Sequence, residues 1–230
     1  MKHVLAFFGA FNPPTAAHLA LAQYAMEQTG REGVLFVPSK SVYIKEAQGK
    51  DFAYGEEERL EMLRLTARLR PWMQVVDWEI RADRQPRTYR TLTHLREEGY
   101  EPVLLFGSDK LAELEREWMH VEEICREFGI VCMARGEDSC RSFIEADPYL
   151  QTLAPWIRVL DTPAEFRHIS STQVRRQVTR LRELQKGRTD AGDDPLRTLQ
   201  TENSLRDLQE ELSRMVPEEI LPQLMPKRLD

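Results

Sequence analysis

Cysteine is scarce in this chain, with three among 230 residues, at Cys125, Cys132 and Cys140. They are odd in number and form no C-x-x-C pair, so neither a disulfide framework nor a zinc site is expected, and a reducing cytosol is the expected compartment. No run of about 18 apolar residues occurs, so nothing is expected to span a bilayer. An excess of positive charge is missing too. Lysine and arginine total 32 against 38 aspartates and glutamates, a formal charge of −6. A basic surface for nucleic acid is therefore not expected, since phosphate neutralisation needs clustered cations. A small anionic ligand in one local pocket is compatible with that balance. Repeats and low-complexity tracts are absent. The N-terminal MKHVLAFFGAFNPPT carries a lysine and an apolar stretch, yet Val4–Phe8 is too short for a signal-peptide core and no small-residue cleavage site follows. It reads as a first strand.

What is present is an ordinary soluble composition: 41 % apolar, 30 % charged, with a mean hydropathy of −0.52. The length favours one domain, with room for an appendage. Short, β-branched or aromatic runs at Val4–Phe8, Val34–Val37, Gln74–Asp77, Val103–Phe106, Ile130–Met133 and Ile157–Leu160 read as strands. Helical patterns fall between them, at Ala16–Gln28, Gly55–Leu69, Thr88–Glu98, Lys110–Phe128 and Thr172–Gln185. Continuous apolar strands are buried on both faces, which means a parallel sheet covered by helices. The alternation predicts a Rossmann-like, doubly wound α/β fold. Lys186–Asp194 is polar and rich in turn formers and reads as a loop. Beyond it, Leu205, Leu208, Leu212 and Met215 make one apolar helical stripe, expected to cover the core, with a dimer contact as the alternative.

Chemistry concentrates at two places. Directly after the first strand comes Gly9-Ala10-Phe11-Asn12-Pro13-Pro14-Thr15-Ala16-Ala17-His18, and then a helix. In a doubly wound sheet this turn lies where ligands bind. Gly9 permits close backbone approach, the prolines stiffen the turn, and Thr15 can cap the helix, whose free amides suit phosphate. His18, one turn in, can donate to a phosphate oxygen as charge develops. The competing reading of His18 is a merely structural histidine, which is how His3, His94 and His120 are read.

The second place is Ile169-Ser170-Ser171-Thr172-Gln173-Val174-Arg175. Hydroxyl residues opening a helix are caps and also phosphate donors, and Arg175 shares a helix face with Thr172. Its guanidinium can clamp phosphate oxygens. Two helix tips facing one sheet edge suit a polyphosphate.

These motifs resemble the nucleotidylyltransferase superfamily with T/H-x-x-H and ISSTxxR signatures, and more narrowly the nicotinate/nicotinamide mononucleotide adenylyltransferases. The family's GxFNPxTxxHL stands here as GAFNPPTAAHL, and ISSTxxR as ISSTQVR. Its GADxL segment is similar to Gly107-Ser108-Asp109-Lys110-Leu111, followed by Trp118 and GIVCMARG. YGEEERLEM and Pro86-Arg87-Thr88-Tyr89 echo two further family stretches, and Val216-Pro217-Glu218-Glu219-Ile220 the final one. The likeness covers residues 1–176 and about 213–228, with 177–212 resembling an insertion. It implies a nucleotidyltransferase domain over 1–176 and a helical segment over 177–230.

The resemblance further implies adenylyl transfer from ATP to a pyridine mononucleotide, giving the dinucleotide and pyrophosphate in NAD biosynthesis. His18 and Arg175 would be catalytic. Gly9, Ala10, Phe11, Asn12, Thr15, Gly107, Asp109, Ser170, Ser171 and Thr172 would bind ATP and its phosphates. Lys45, Trp78 and Trp118 would bind the mononucleotide, the aromatics by stacking on its ring. Mg²⁺ would arrive with ATP, with no dedicated protein ligands. The chain would be cytoplasmic, without nucleic-acid or membrane partners, and compatible with a homo-oligomer. A sibling transferase for another acceptor such as phosphopantetheine, and a non-catalytic nucleotide-binding regulator, are the alternatives. The first motif by itself does not choose the acceptor.

Overall fold

The computed structural model describes residues 1–46, 54–111, 113–114, 118–134, 140–163, 169–189 and 195–225. Six parallel strands, β1 (Lys2–Gly9), β2 (Gly33–Pro38), β3 (Met73–Val75), β4 (Tyr100–Gly107), β5 (Ile130–Ala134) and β6 (Ile157–Asp161), form one sheet in the order β3-β2-β1-β4-β5-β6. All six expected strands are present. Strand order reverses between β1 and β4, which pair in register from Lys2↔Tyr100 to Phe7↔Leu105. At such a switch point, connections leave in opposite directions and open a crevice at the strands' carboxyl ends.

Alternate strand residues feed the two faces. Val4, Ala6, Leu35, Val37, Leu104 and Phe106 pack on one side with Leu92, Leu95, Ile124 and Phe128. Leu5, Phe7, Val34, Phe36 and Leu105 pack on the other with Leu19, Ala22, Ala25 and Leu63. The flanking helices are α1 (Ala16–Thr29), α2 (Ser41–Glu46), α3 (Glu56–Arg68), α4 (Trp78–Arg81), α5 (Thr88–Glu97), α6 (Ser108–Leu111), α7 (Val121–Glu127), α8 (Cys140–Ala146) and α9 (Pro148–Leu153). They are followed by α10 (Ser171–Thr189), α11 (Pro195–Met215) and α12 (Leu221–Leu224).

Two expectations are corrected. Among the described residues the helix read over Lys110–Phe128 is interrupted: α6 ends at Leu111 and α7 begins at Val121, with His120 in the left-handed region at φ 61° just before α7. A left-handed residue cannot continue a right-handed helix. The loop read from Lys186 is helical to Thr189, as part of α10. Residues 190–194 lie outside the described residues.

The C-terminal stripe covers the protein's own core. Leu205, Leu208, Leu212 and Met215 of α11 are buried with Val174, Val178 and Leu181 of α10 and with Tyr54 and Met62. Each fully buried leucine of this kind stabilises the fold by about 1.5–3 kcal/mol. The cluster thus anchors α10, whose first turn carries the second motif. The three cysteines are free and buried, and no described helix is long and apolar enough to cross a membrane.

Candidate active site

The loop from β1 to α1 is built from its own side chains. Gly9 lets Phe11 pack close over the strand end, since a Cβ there would sit 3.1 Å from its ring, tighter than an ordinary contact. Phe11 itself is held at φ 43°, a conformation that a bulky residue adopts only when its surroundings impose it. Its ring is buried edge-on against Phe7 and His18, with both centroid distances at 5.3 Å. Buried Asn12 accepts the Tyr54 backbone N–H on Oδ1 at 2.9 Å. Beneath the loop lies the wholly buried Arg59 of α3, which donates to the carbonyls of Ala10 at 2.7 Å and Ser39 at 2.6 Å. Burial lowers its pKa to about 10, so it stays charged at neutral pH.

Thr15 caps α1, and His18 completes a capping box in the position usually filled by glutamate or glutamine. The Thr15 backbone N–H donates to His18 Nδ1 at 3.0 Å, the Thr15 hydroxyl lies 2.8 Å from the same nitrogen, and the His18 N–H donates to Thr15 Oγ1 at 3.2 Å. A nitrogen that accepts cannot also carry the proton, so this pattern assigns the ring hydrogen of the neutral imidazole to Nε2.

The second motif joins the first directly. Arg175 donates through Nη1 to the Asn12 carbonyl at 2.9 Å and through Nη2 to Thr172 Oγ1 at 3.1 Å. The Ser171 hydroxyl donates to the Pro13 carbonyl at 2.8 Å. Ser170 and Gln173 cap the start of α10 reciprocally, with the Ser170 N–H donating to Gln173 Oε1 at 2.9 Å and the Gln173 N–H to Ser170 Oγ at 3.3 Å. Burial lowers the Arg175 pKa from its ordinary value.

Two cavities open at the carboxyl ends of β1 and β4. The smaller, about 600 Å³, is lined by His18 and Arg175 together with Gly9, Ala10, Phe11, Asn12 and Thr15 from the first motif. Ser170, Ser171 and Thr172 from the second motif line it, as do Gly107 and Asp109 after β4. Asp109 is the second residue of α6 rather than its cap.

The larger cavity, about 1370 Å³, is lined by Trp78 and Trp118 and by a basic group, Arg81, Arg84, Arg87, Arg90 and His120. Trp118 stands edge-on to Phe106 at 5.8 Å. Trp78 has one face stacked on the His94 ring, 4.4 Å away and 18° from parallel. Of the histidines read from sequence as merely structural, His120 thus lines this cavity and His94 stacks on one of its lining residues. The Lys45 side chain lies outside the described residues.

Sequence reasoning missed a buried carboxylate in this wall. Glu79 accepts from Thr91 Oγ1 at 2.7 Å and from Gln85 Nε2 at 2.5 Å, while Gln85 Oε1 accepts the Lys40 N–H at 2.8 Å. Desolvation pushes its carboxyl up to about 7, against the downward pull of those hydrogen bonds. Nothing in the VDWE stretch marks it, because its burial comes from α5 packing over α4.

Known proteins resemble this chain over most of its length. The cytidylyltransferase-like family model matches residues 6–177. The nicotinamide/nicotinic acid mononucleotide adenylyltransferase of Arabidopsis thaliana is 27 % identical over 191 residues, 77 % of this chain and 80 % of that protein. A probable nicotinate-nucleotide adenylyltransferase of Carboxydothermus hydrogenoformans is 30 % identical over 175 residues, 75 % of this chain and 84 % of its own length. In fold, the chain is similar to the Plasmodium falciparum nicotinic acid mononucleotide adenylyltransferase complexed with APC. The TM-score is 0.64 at 15 % identity, covering 97 % of this chain and 96 % of that one. The order-reversing parallel sheet, the joined helix tips at its switch point and these matches lead to one assignment: the chain belongs to the cytidylyltransferase-like family, among the nicotinate-nucleotide adenylyltransferases.

Proposed function

We infer that this chain transfers AMP from ATP to nicotinate or nicotinamide mononucleotide, forming the dinucleotide and releasing pyrophosphate. The carrying observation is that His18 and Arg175 line the same cavity, with Arg175 hydrogen-bonded to the loop that precedes His18. In this reading, ATP occupies the smaller cavity and the mononucleotide the larger, whose arginines complement its phosphate. An oxygen of the mononucleotide phosphate attacks the α-phosphorus of ATP, the bond to the bridging oxygen breaks, and pyrophosphate leaves. Charge builds on the α-phosphoryl and leaving oxygens, where His18 Nε2–H and the Arg175 fork would donate. Direct transfer of this kind needs positioning and electrostatics, which the donors of the two motifs would supply.

ATP would enter as its magnesium complex. The ion would be held mainly by phosphate oxygens and water. Trp118 would stack on the pyridine ring, as would Trp78 through the face that His94 leaves. The free, buried thiols accord with a cytoplasmic enzyme. The test is ATP-dependent pyrophosphate release with each pyridine mononucleotide and with phosphopantetheine offered separately. Release with a pyridine mononucleotide is the expected result. Release only with phosphopantetheine, or ATP binding with no release, overturns the reading.

A further inference from the structure

The two cavities share a wall made of Phe8, Gly9, Tyr43, Phe106 and Lys110. Lys110 is the one side chain of this set with a formal charge. It sits in α6, directly beyond the carboxyl end of β4, at the switch point where the cavities meet. Its Nζ is held by both oxygens of Glu113, at 2.8 and 2.7 Å. Glu113 lines the smaller cavity only. Both side chains are about 30 % exposed, so solvent screens the pair and it is weak enough to give way to a stronger anion.

We propose that Lys110 is a phosphate-binding residue at the seam of the two cavities, exchanging Glu113 for the phosphates of the two substrates when both are bound. The proposal rests on the adenylyltransferase reading and adds a residue to it. Each substrate alone brings negative charge to its own cavity, where other cations stand. Only when both are present must the acceptor phosphate and the α-phosphate come together in the shared wall, and their repulsion is greatest there. A cation lining both cavities contributes most to that ternary complex and to the charge that grows during transfer. Glu113 serves as its counterion while the site is empty, and keeps the flexible lysine near the seam.

This division of labour separates the proposal from a structural role. Binding of a pyridine mononucleotide and of a non-hydrolysable ATP analogue is measured singly and then together, alongside steady-state turnover, for the wild type, K110M, K110R and E113Q. K110M is expected to change each single affinity by less than about 3-fold. It should weaken mononucleotide binding to the analogue-loaded enzyme by about 10-fold or more, and lower kcat by about 10²-fold, the loss typical of one transition-state donor. K110R should recover part of both losses, and E113Q should bind the second substrate more tightly by a few-fold. Near-normal ternary binding and kcat in K110M overturn the proposal while leaving the enzyme's reaction intact. Equal losses in the two single affinities do the same, for they mark a general loss of structure. A wild-type enzyme that turns over neither mononucleotide removes the underlying functional reading, and the proposal with it.

Discussion

The imidazole of His18 is fixed by Thr15, three residues earlier, through a backbone N–H at 3.0 Å and a hydroxyl at 2.8 Å on one ring nitrogen. The same contacts terminate α1, so helix capping and tautomer choice are a single arrangement.

That coupling separates two substitutions of one residue. Glutamine is a natural partner in a capping box, so His18→Gln should keep the stability of the cap while losing the imidazole. His18→Ala should lose both, with a destabilisation of about 1 kcal/mol. Both variants should lose about 10²–10³-fold in kcat. Thermal melts beside turnover assays check this, and substantial turnover in His18→Gln would remove His18 from the catalytic set.

Glu79 makes stability depend on pH. Its carboxyl has a folded pKa of about 7 against an ordinary 4.5, so the native state holds the proton more tightly than the unfolded chain. That stabilisation is fully present below about pH 4.5 and is lost as pH rises through 7, a change on the order of 3 kcal/mol. Melting temperatures of wild type and Glu79→Gln across pH 5–8 should therefore diverge, with the wild type losing ground as pH rises. Parallel curves would mean that the carboxyl titrates as it does in water.

Arg59 ties two loops together from below. Methionine in its place would leave the Ala10 and Ser39 carbonyls without their donor, at about 2–5 kcal/mol by the usual cost of unsatisfied buried groups. Lysine, a single point donor, should recover only part of this. Denaturant midpoints measure the loss, and a raised KM for ATP in Arg59→Lys should show that the loop above has shifted.

Leu212, wholly buried between α10 and the body of the protein, should cost about 2–5 kcal/mol when cut to alanine. Turnover per folded molecule should survive at low temperature, because the substitution leaves every lining residue in place. Chemical denaturation and an assay at 10 °C would check both halves of that expectation.

Much of this was legible before any coordinates. The strands are short runs of β-branched and aromatic residues between breakers, and burial on both faces leaves no ambiguity of period. The two motifs were legible because each couples a helix start to groups suited to phosphate. The break between α6 and α7 was not, since Leu111, Leu114, Trp118, Val121 and Ile124 keep helical spacing across it, and the left-handed backbone of His120 has no mark in the sequence. Arg59, Glu79 and Lys110 escaped for another reason. Their roles depend on which carbonyls, caps or cavity walls lie opposite, and those partners come from segments that are distant in the chain or brought close only by a turn.

The bond from Arg175 to the Asn12 carbonyl spans 163 positions of sequence. Each motif folds within its own local segment, but neither can complete the other until the elements between them have packed into the sheet and its covering helices. The cradle therefore exists only once a very long loop of chain has closed, and closure over such a span costs entropy before its contacts form.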